Sequence, residues 1–412
     1  MYISSIKDQI IKGKRVFLRT DLNVPLKDKN ILQDYRLKNS LPSIKYIQQK
    51  GGKVILATHI GRPKPEVLNK NLSTNILVSW FERHGFKIKF EQDLEKAKIF
   101  SQSNFDEILL LENMRFFKGE KGEEKEREEF ANLLKNLSDI YVNDAFALIH
   151  RNDCSVTLLP KKFETNKRSF GLLVEKEIKA LNKLKENIEQ PFAIILGGNK
   201  IKSKIPVLEN FLKQSVNNRP SYIIIGGAIA YTFLKSQDFE VGNSIVENEY
   251  INFSKNFLNE AKNKNVNILL PEDHLVVQNI KNIKEINSKN ITTNYFKTKD
   301  IPTDGICVDI GPKTIENFCN EIKKSKTIFT NGSMGIYTKP EFEKGSKKIL
   351  EAIAQSNTYS VAGGGDCIAA IHLFNLQDKF KFLSTGGGAT LMYLATENPL
   401  KEMPAATALV KN

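Results

Sequence analysis

Arginine is scarce in this chain: of 61 basic residues, 51 are Lys and only 10 are Arg. Cysteine is scarcer, and Cys154, Cys307, Cys319 and Cys367 form no CxxC pair and no metal-like spacing. Neither a disulfide framework nor a zinc site is indicated. No apolar run approaches the roughly 18 residues of a membrane span. The opening MYISSIKDQIIKGK has no apolar core of a signal peptide, so the reading is cytoplasmic, with no membrane partner. There is no basic tail, and no basic block interleaved with aromatic residues. The net charge of +14 is almost all lysine, spread over the whole length among Asn and Ile. It therefore reads as compositional bias, with some steering of anionic ligands, and no nucleic-acid partner is expected. No GxGxxG or Walker A motif is present.

What is there is an ordinary globular composition, 41% hydrophobic and 26% charged over 412 residues, long enough for two domains. RVFLR, KVILATH, EILLLE and DIYVNDAF read as buried strands. The patterns between them are helical: RLKNSLPSIKYIQQK closed by Gly51, NLSTNILVSWFERH closed by Gly85, and EEKEREEFANLLKNL. In the second half PFAIILGG, YIIIGG, ICVDIGP, TIFTNGSMG, YSVAGGG and FLSTGGGA run straight into glycines, each followed by a helical pattern. Buried strands alternating with helices predict an α/β fold of two doubly wound parallel-sheet (Rossmann-like) domains. VEKEIKALNKLKENIEQ predicts a connecting helix over 174–189, beside a hinge that lets the domains close. Glycines beyond strand ends let backbone N–H groups face a phosphate. Six in one half predict a surface for an extended phosphate ligand.

The surviving arginines carry the other half of the reading. Nine of the ten lie at or before residue 168. Five sit in turn-like contexts: Arg19 in RTDLNVP, Arg36 in QDYRL, Arg62 in HIGRP, Arg115 in LENMRF and Arg151 in IHRND. One such arginine would read as a surface ion pair of little consequence. Five, in a chain that otherwise uses lysine, predict convergence on one multiply charged anion, because a guanidinium grips phosphate or carboxylate bidentately.

In order along nearly the whole chain, RTDLNVP, HIGRP, LLENMRF and YVNDAF with HR, then LGGNKIKSKI, GGAIAYTFL, AGGGD and STGGGA, resemble the segments of phosphoglycerate kinases. The resemblance implies transfer of a phosphoryl group between MgATP and the carboxylate of 3-phosphoglycerate, giving 1,3-bisphosphoglycerate and MgADP. It implies Asp21, Asn23, Arg36, His59, Arg62, Arg115 and Arg151 as phosphoglycerate-binding residues, with Arg36 also catalytic; His150 is left out. It implies Lys200 at the transferring phosphoryl, and Lys204, Asn331, Gly363, Gly364, Gly365 and Asp366 around the ATP or ADP, with Asp366 holding Mg²⁺. Lys204 is expected one helical turn beyond Lys200. Glycines 363–365 and 386–388 are expected to open helices toward the phosphates. The domains are then an acid-binding one over 1–173, with the tail 394–412 packed on it, and a nucleotide-binding one over 190–393. A monomer is expected.

The chain departs from the family pattern in its second half. Thr330, Asn331, Gly332 and Ser333 stand where Trp-Asn-Gly-Pro is usual. Thr338 replaces an acidic ribose contact, Cys367 a common threonine and Met392 a usual glutamate. The tail KEMPAATALVKN keeps a trace of a Leu-Pro-Gly close. These changes predict a weaker grip on the nucleoside with phosphate and metal chemistry intact. The alternative reading is a weakened paralogue that senses metabolites or acts as a scaffold.

Overall fold

Arg15–Thr20, Lys53–Ala57 and Ile140–Asp144 bury almost every side chain, as strands covered on both faces must. The computed structural model describes residues 4–28, 30–65, 69–103, 105–280, 283–286 and 291–410. The chain divides into two compact units, residues 1–179 with 398–412, and residues 180–397.

The strands of the first unit are β1 (Arg15–Thr20), β2 (Leu26–Lys27), β3 (Asn30–Ile31), β4 (Lys53–Ala57), β5 (Ile88–Glu91), β6 (Ile108–Leu111), β7 (Ile140–Asp144) and β8 (Arg168–Phe170). Six form a parallel sheet in the order β5-β6-β4-β1-β7-β8, while β2 and β3 make a separate hairpin. Val16 of β1 lies opposite Val54 of β4 on one side and Ile140 of β7 on the other. The strand order therefore reverses at β1, and in open α/β sheets ligands bind beyond the strand ends at such a point. Asp21 follows β1, His59 follows β4, and Arg115 and Arg151 lie in the segments after β6 and β7.

The strands of the second unit are β9 (Phe192–Leu196), β10 (Tyr222–Ile225), β11 (Asn267–Leu269), β12 (Asp273–Gln278), β13 (Thr292–Lys297), β14 (Ile306–Ile310), β15 (Thr327–Asn331), β16 (Tyr359–Gly363) and β17 (Phe382–Leu383). They form a parallel sheet, β11-β10-β9-β15-β16-β17, and an antiparallel one, β13-β12-β14. The doubly wound parallel architecture expected from sequence is thus present in both units.

Three local expectations change. ICVDIGP is β14 of the antiparallel sheet, and its glycine end is closed. Asp273 Oδ1 accepts from Thr314 N at 2.8 Å and Oδ2 from Lys313 N at 3.0 Å. That carboxylate caps the helix Pro312–Lys324, and a capped N-terminus cannot also receive a phosphate. The connecting helix spans Leu172–Asn182, not 174–189, and residues 183–190 form turns and bends. NLSTNILVSWFERH is broken: Lys70–Leu72 and Thr74–Leu77 are 3₁₀ turns, and the α-helix covers only Val78–Arg83. The buried Glu112 carboxylate binds Ser73 Oγ at 2.8 Å and Thr74 N at 2.9 Å, fastening the break.

Candidate active site

In the first unit, the Asn113 side chain sets the segment after β6. Its Oδ1 accepts from Arg115 N at 3.0 Å, and its Nδ2 donates to Ile60 O and Leu72 O, both at 2.8 Å. Arg115 then donates from Nη1 to Gly61 O at 2.6 Å, while its buried Nε and Nη2 have no partner among the described residues. Arg151 Nε is likewise buried and unpartnered. Both guanidinium groups line a cavity of about 370 Å³ together with Arg62, Pro63, Phe117 and Lys121. Burial, then the neighbouring Arg151, lowers the Arg115 pKa. Buried guanidinium donors left without partners suit an anionic ligand, even with the Glu120 carboxylate in the same lining.

An adjoining cluster is tied to this cavity through Gly61, whose N–H donates to Asn23 Oδ1 at 2.9 Å. Asn23 N donates to Asp21 Oδ1 at 3.2 Å, and Arg36 Nη1 pairs with Asp21 Oδ2. His59 is 3% exposed, with Nδ1 3.9 Å from Asp21 Oδ1. Burial first, then Arg19, Arg115, Arg151 and Arg36, hold its pKa well below the ordinary value. His59 is therefore a neutral imidazole in a field of arginines, a hydrogen-bonding group and not a charge.

Arg19 does not belong to this set. It is fully buried, donating from Nε to Ser155 Oγ at 2.7 Å and from Nη1 to Thr20 O at 2.6 Å, with Nη2 3.6 Å from Glu120. Glu120 in turn accepts from Ser155 N at 2.9 Å and Ser155 Oγ at 2.7 Å. Arg19 holds Glu120, which lines the cavity, whereas Arg62, Arg115 and Arg151 line it themselves and Arg36 belongs to the adjoining Asp21 cluster. The sequence reading did not single out Lys121, one lysine among many, which lines the cavity. His150, left out of the reading, is not among the lining residues, and its Nδ1 is buried without a partner among the described residues.

In the second unit a cavity of about 380 Å³ is lined by Gly198, Gly227, Tyr231, Met334, Tyr337, Thr338 and Asp366, among others. Its base is a place where backbones touch. Gly332 has φ +88°, and a Cβ there would lie 2.4 Å from the carbonyl carbon of Gly197, so only glycine permits this approach of β9 and β15. Gly364 is equally constrained, with φ +91° and a hypothetical Cβ 2.6 Å from Asn331 Nδ2. Asn331 itself is buried, donating from Nδ2 to Gly363 O at 2.9 Å; it fastens the glycine segment between β16 and the helix Gly365–Leu373. Asp366 stands exposed in the first turn of that helix. A second glycine segment ends at Gly387, φ +57°, which caps the helix Gly388–Ala395.

Lys200 is exposed in the turn after β9. Lys204 is not one helical turn beyond it: residues 201–204 form a turn, and the helix begins at Ile205. Lys204 caps that helix, and burial lowers its pKa against the opposing pull of Asp366 and Glu247. Glu247 also accepts from Ile201 N, so Glu247 anchors the lysine turn from below. No sequence signal pointed to it.

The family model described as "Phosphoglycerate kinase" matches residues 6–397. A phosphoglycerate kinase of Dictyoglomus turgidum is 41% identical over 411 residues, covering 99% of this chain and 98% of the relative. One from Clostridium botulinum (strain Eklund 17B) is 39% identical over 410 residues, covering 98% of each. This chain belongs to the phosphoglycerate kinase family. It is thus a kinase, a phosphotransferase. The solved phosphoglycerate kinase of Coxiella burnetii superposes with a TM-score of 0.82 at 30% identity over 99% of this chain and 98% of that one. The enzyme from Pyrococcus horikoshii does so with 0.82 at 29% identity over the same shares.

Two departures from the phosphoglycerate kinase pattern turn out to touch each other. Cys367 is fully buried, its sulfur hydrogen-bonded to the Thr330 hydroxyl and the Gly332 backbone, and burial pushes its thiol up to about 12. A threonine for the usual tryptophan and a cysteine for the usual threonine are therefore one local change, which ties β15 to the Asp366 helix. Thr338 and Ser333 line the cavity, as a nucleoside contact would; Met392 is exposed.

Asp309 of β14 lies behind this cavity wall. It is 1% exposed, accepts from Gly345 N at 2.6 Å through Oδ2, and has Oδ1 buried without a partner. Burial raises its pKa from 3.8 to about 7. Between those values the folded chain holds a proton that the unfolded chain has lost, so this group's contribution to stability falls as pH rises from about 4 to about 7. Asp309→Asn removes the titration while keeping an acceptor for Gly345. We expect the variant to be more stable than wild type at pH 8 by on the order of 1–3 kcal/mol, with a smaller gap at pH 5. Unfolding midpoints of both proteins at the two pH values check this; an equal gap at both would mean that Asp309 folds ionised.

Proposed function

We propose that the chain catalyses reversible phosphoryl transfer between MgATP and the carboxylate of 3-phosphoglycerate, yielding 1,3-bisphosphoglycerate and MgADP, in glycolysis and gluconeogenesis. The observation that supports this reading is the arginine cavity of the first unit, where buried nitrogens of Arg115 and Arg151 have no partner among the described residues although the Glu120 carboxylate also lines it. Arg62, Arg115 and Arg151 would hold the distal phosphate, while Asp21 and Asn23 would bind the 2-hydroxyl. His59 would serve as a neutral partner. Arg36, paired with Asp21, would align the acceptor carboxylate. That carboxylate is already ionised at neutral pH, so no general base is required, and catalysis reduces to alignment and charge neutralisation.

On the nucleotide side Lys200 would meet the transferring phosphoryl, and Lys204 the phosphates from its half-buried turn. Gly363, Gly364 and Gly365 would open the Asp366 helix toward the phosphates, with Asn331 as their fastener. Among the described residues no group of three or more His, Cys, Asp or Glu is arranged to hold a metal. A single exposed Asp366 fits Mg²⁺ arriving on the nucleotide, which takes one or two protein carboxylates and completes its shell from phosphates and water. The ion would neutralise phosphate charge. The domain roles, closure about the segment near residues 172–190, a monomeric state and a cytoplasmic location belong to this reading. Among the described residues no helix is long and apolar enough to cross a membrane. No observation favours a weakened, metabolite-sensing paralogue.

The test is a coupled assay of purified protein with 3-phosphoglycerate and MgATP, repeated with MgGTP. Absence of acyl-phosphate product would leave only a binding role. Thr338→Glu is expected to tighten MgADP roughly 10-fold, because glutamate offers two acceptors to the paired ribose hydroxyls where threonine offers one hydroxyl. Calorimetry checks it: 3-phosphoglycerate affinity should stay unchanged, and unaltered MgADP affinity would mean that the nucleoside wall, with Tyr337 and Met334, seats the ribose elsewhere.

A further inference from the structure

A second cationic cavity lies in the first unit, away from the arginine cavity. It is an open pocket of about 710 Å³, lined by the exposed Lys161, Thr165 and Asn166 and the half-buried Arg168 on one side and by Thr407, Ala408 and Val410 of the tail on the other. Arg168 opens the sheet-edge strand β8, opposite Tyr141. Its Nη1 donates to Pro160 O at 3.3 Å, but its Nε is buried without a partner among the described residues. Carboxylates of this region are already engaged: Glu128 by Lys162, and Glu164 by Lys167 at 2.8 Å. Burial lowers the Arg168 pKa, with no opposing acidic group among the described residues. A partly desolvated cation without a counter-ion is costly unless something supplies one. That this lysine-rich chain keeps arginine there points to a forked donor for a planar or tetrahedral anion.

We propose that this cavity binds a small multivalent phosphate-bearing anion, gripped by Arg168 and Lys161, with Thr165, Asn166 and Thr407 as hydrogen-bond donors. The site is separate from the arginine cavity, and the proposal does not depend on the catalytic reading. Its volume admits more than one phosphate group.

Thr165, Thr407 and Val410, all methyl-bearing, are among the lining residues, which makes a local readout available. The full chain, methyl-labelled, is titrated with inorganic pyrophosphate at constant ionic strength held by chloride. Saturable shifts of those methyl resonances are expected, with the apparent affinity reduced at least about tenfold in the doubly substituted Lys161→Gln, Arg168→Gln protein, the loss of two charged hydrogen-bonding groups. Lys161→Gln alone changes an exposed side chain and should weaken binding at least about threefold, which keeps the test decisive should the double variant fold poorly. Shifts absent from these methyls, or identical in Lys161→Gln, overturn the proposal.

Discussion

Arg36→Lys is expected to lower turnover about a thousandfold, roughly 4 kcal/mol of transition-state stabilisation, while leaving the fold and the positive charge in place. Arg36 sits in the first turn of the helix Tyr35–Gln49. Its Nη1 is paired with Asp21 Oδ2 and lies 3.4 Å from Asn23 O, so one arm of the fork is committed to holding the segment after β1. An ammonium is a compact point charge. It could satisfy Asp21 or reach the acceptor carboxylate, but it cannot offer the planar, parallel donors that would do both. The loss should therefore fall on turnover more than on substrate affinity, because the contact tightens as charge redistributes. Steady-state kinetics with 3-phosphoglycerate and MgATP decide the matter. Turnover within a few-fold of wild type would remove Arg36 from the reaction.

Lys200→Ala carries the second large effect: turnover should fall about a hundredfold or more, with 3-phosphoglycerate affinity within a few-fold of wild type. Lys200 stands exposed in the turn directly after β9, beyond Gly197 and Gly198. Gly198 has φ +85°, and a Cβ on Gly197 would lie 2.1 Å from Ser333 O, so the turn that presents Lys200 is held by backbone packing and survives removal of the side chain. The variant then reports the ammonium alone. Lys204 is half-buried, and its Nζ donates to Ser203 Oγ at 3.2 Å. A variant impaired mainly in 3-phosphoglycerate affinity would assign Lys200 to the acid and not to the transferring group.

Much of this protein is legible in its sequence because strand and helix periods and glycine stops are local signals. RVFLR, KVILA, FAIIL and TIFTN are buried strands in the structure as in the reading. The eight ordered segments point to the family because their order and spacing along the chain are specific, and the family model matches residues 6–397. Local patterns misled where a distant carboxylate intervened. Glu112 breaks the helix expected over residues 71–84, and Asp273 closes the glycine end of β14; neither is near in sequence to what it changes.

The sequence by itself determined the fold class, the family and the residue types of the two candidate sites, since these follow from short-range pattern and motif order. Only the tertiary structure decided which arginines converge. Arg19 and Arg115 stand in similar strand-end contexts, yet Arg19 is committed to Glu120 and Ser155, while Arg115 keeps two buried nitrogens without partners. Only the fold likewise joined Thr330 to Cys367 and raised the Asp309 pKa to about 7. The physical reason is common to all three. Desolvation and hydrogen-bond partnership are set by groups brought together across the sheet, and no spacing along the chain encodes who those neighbours will be.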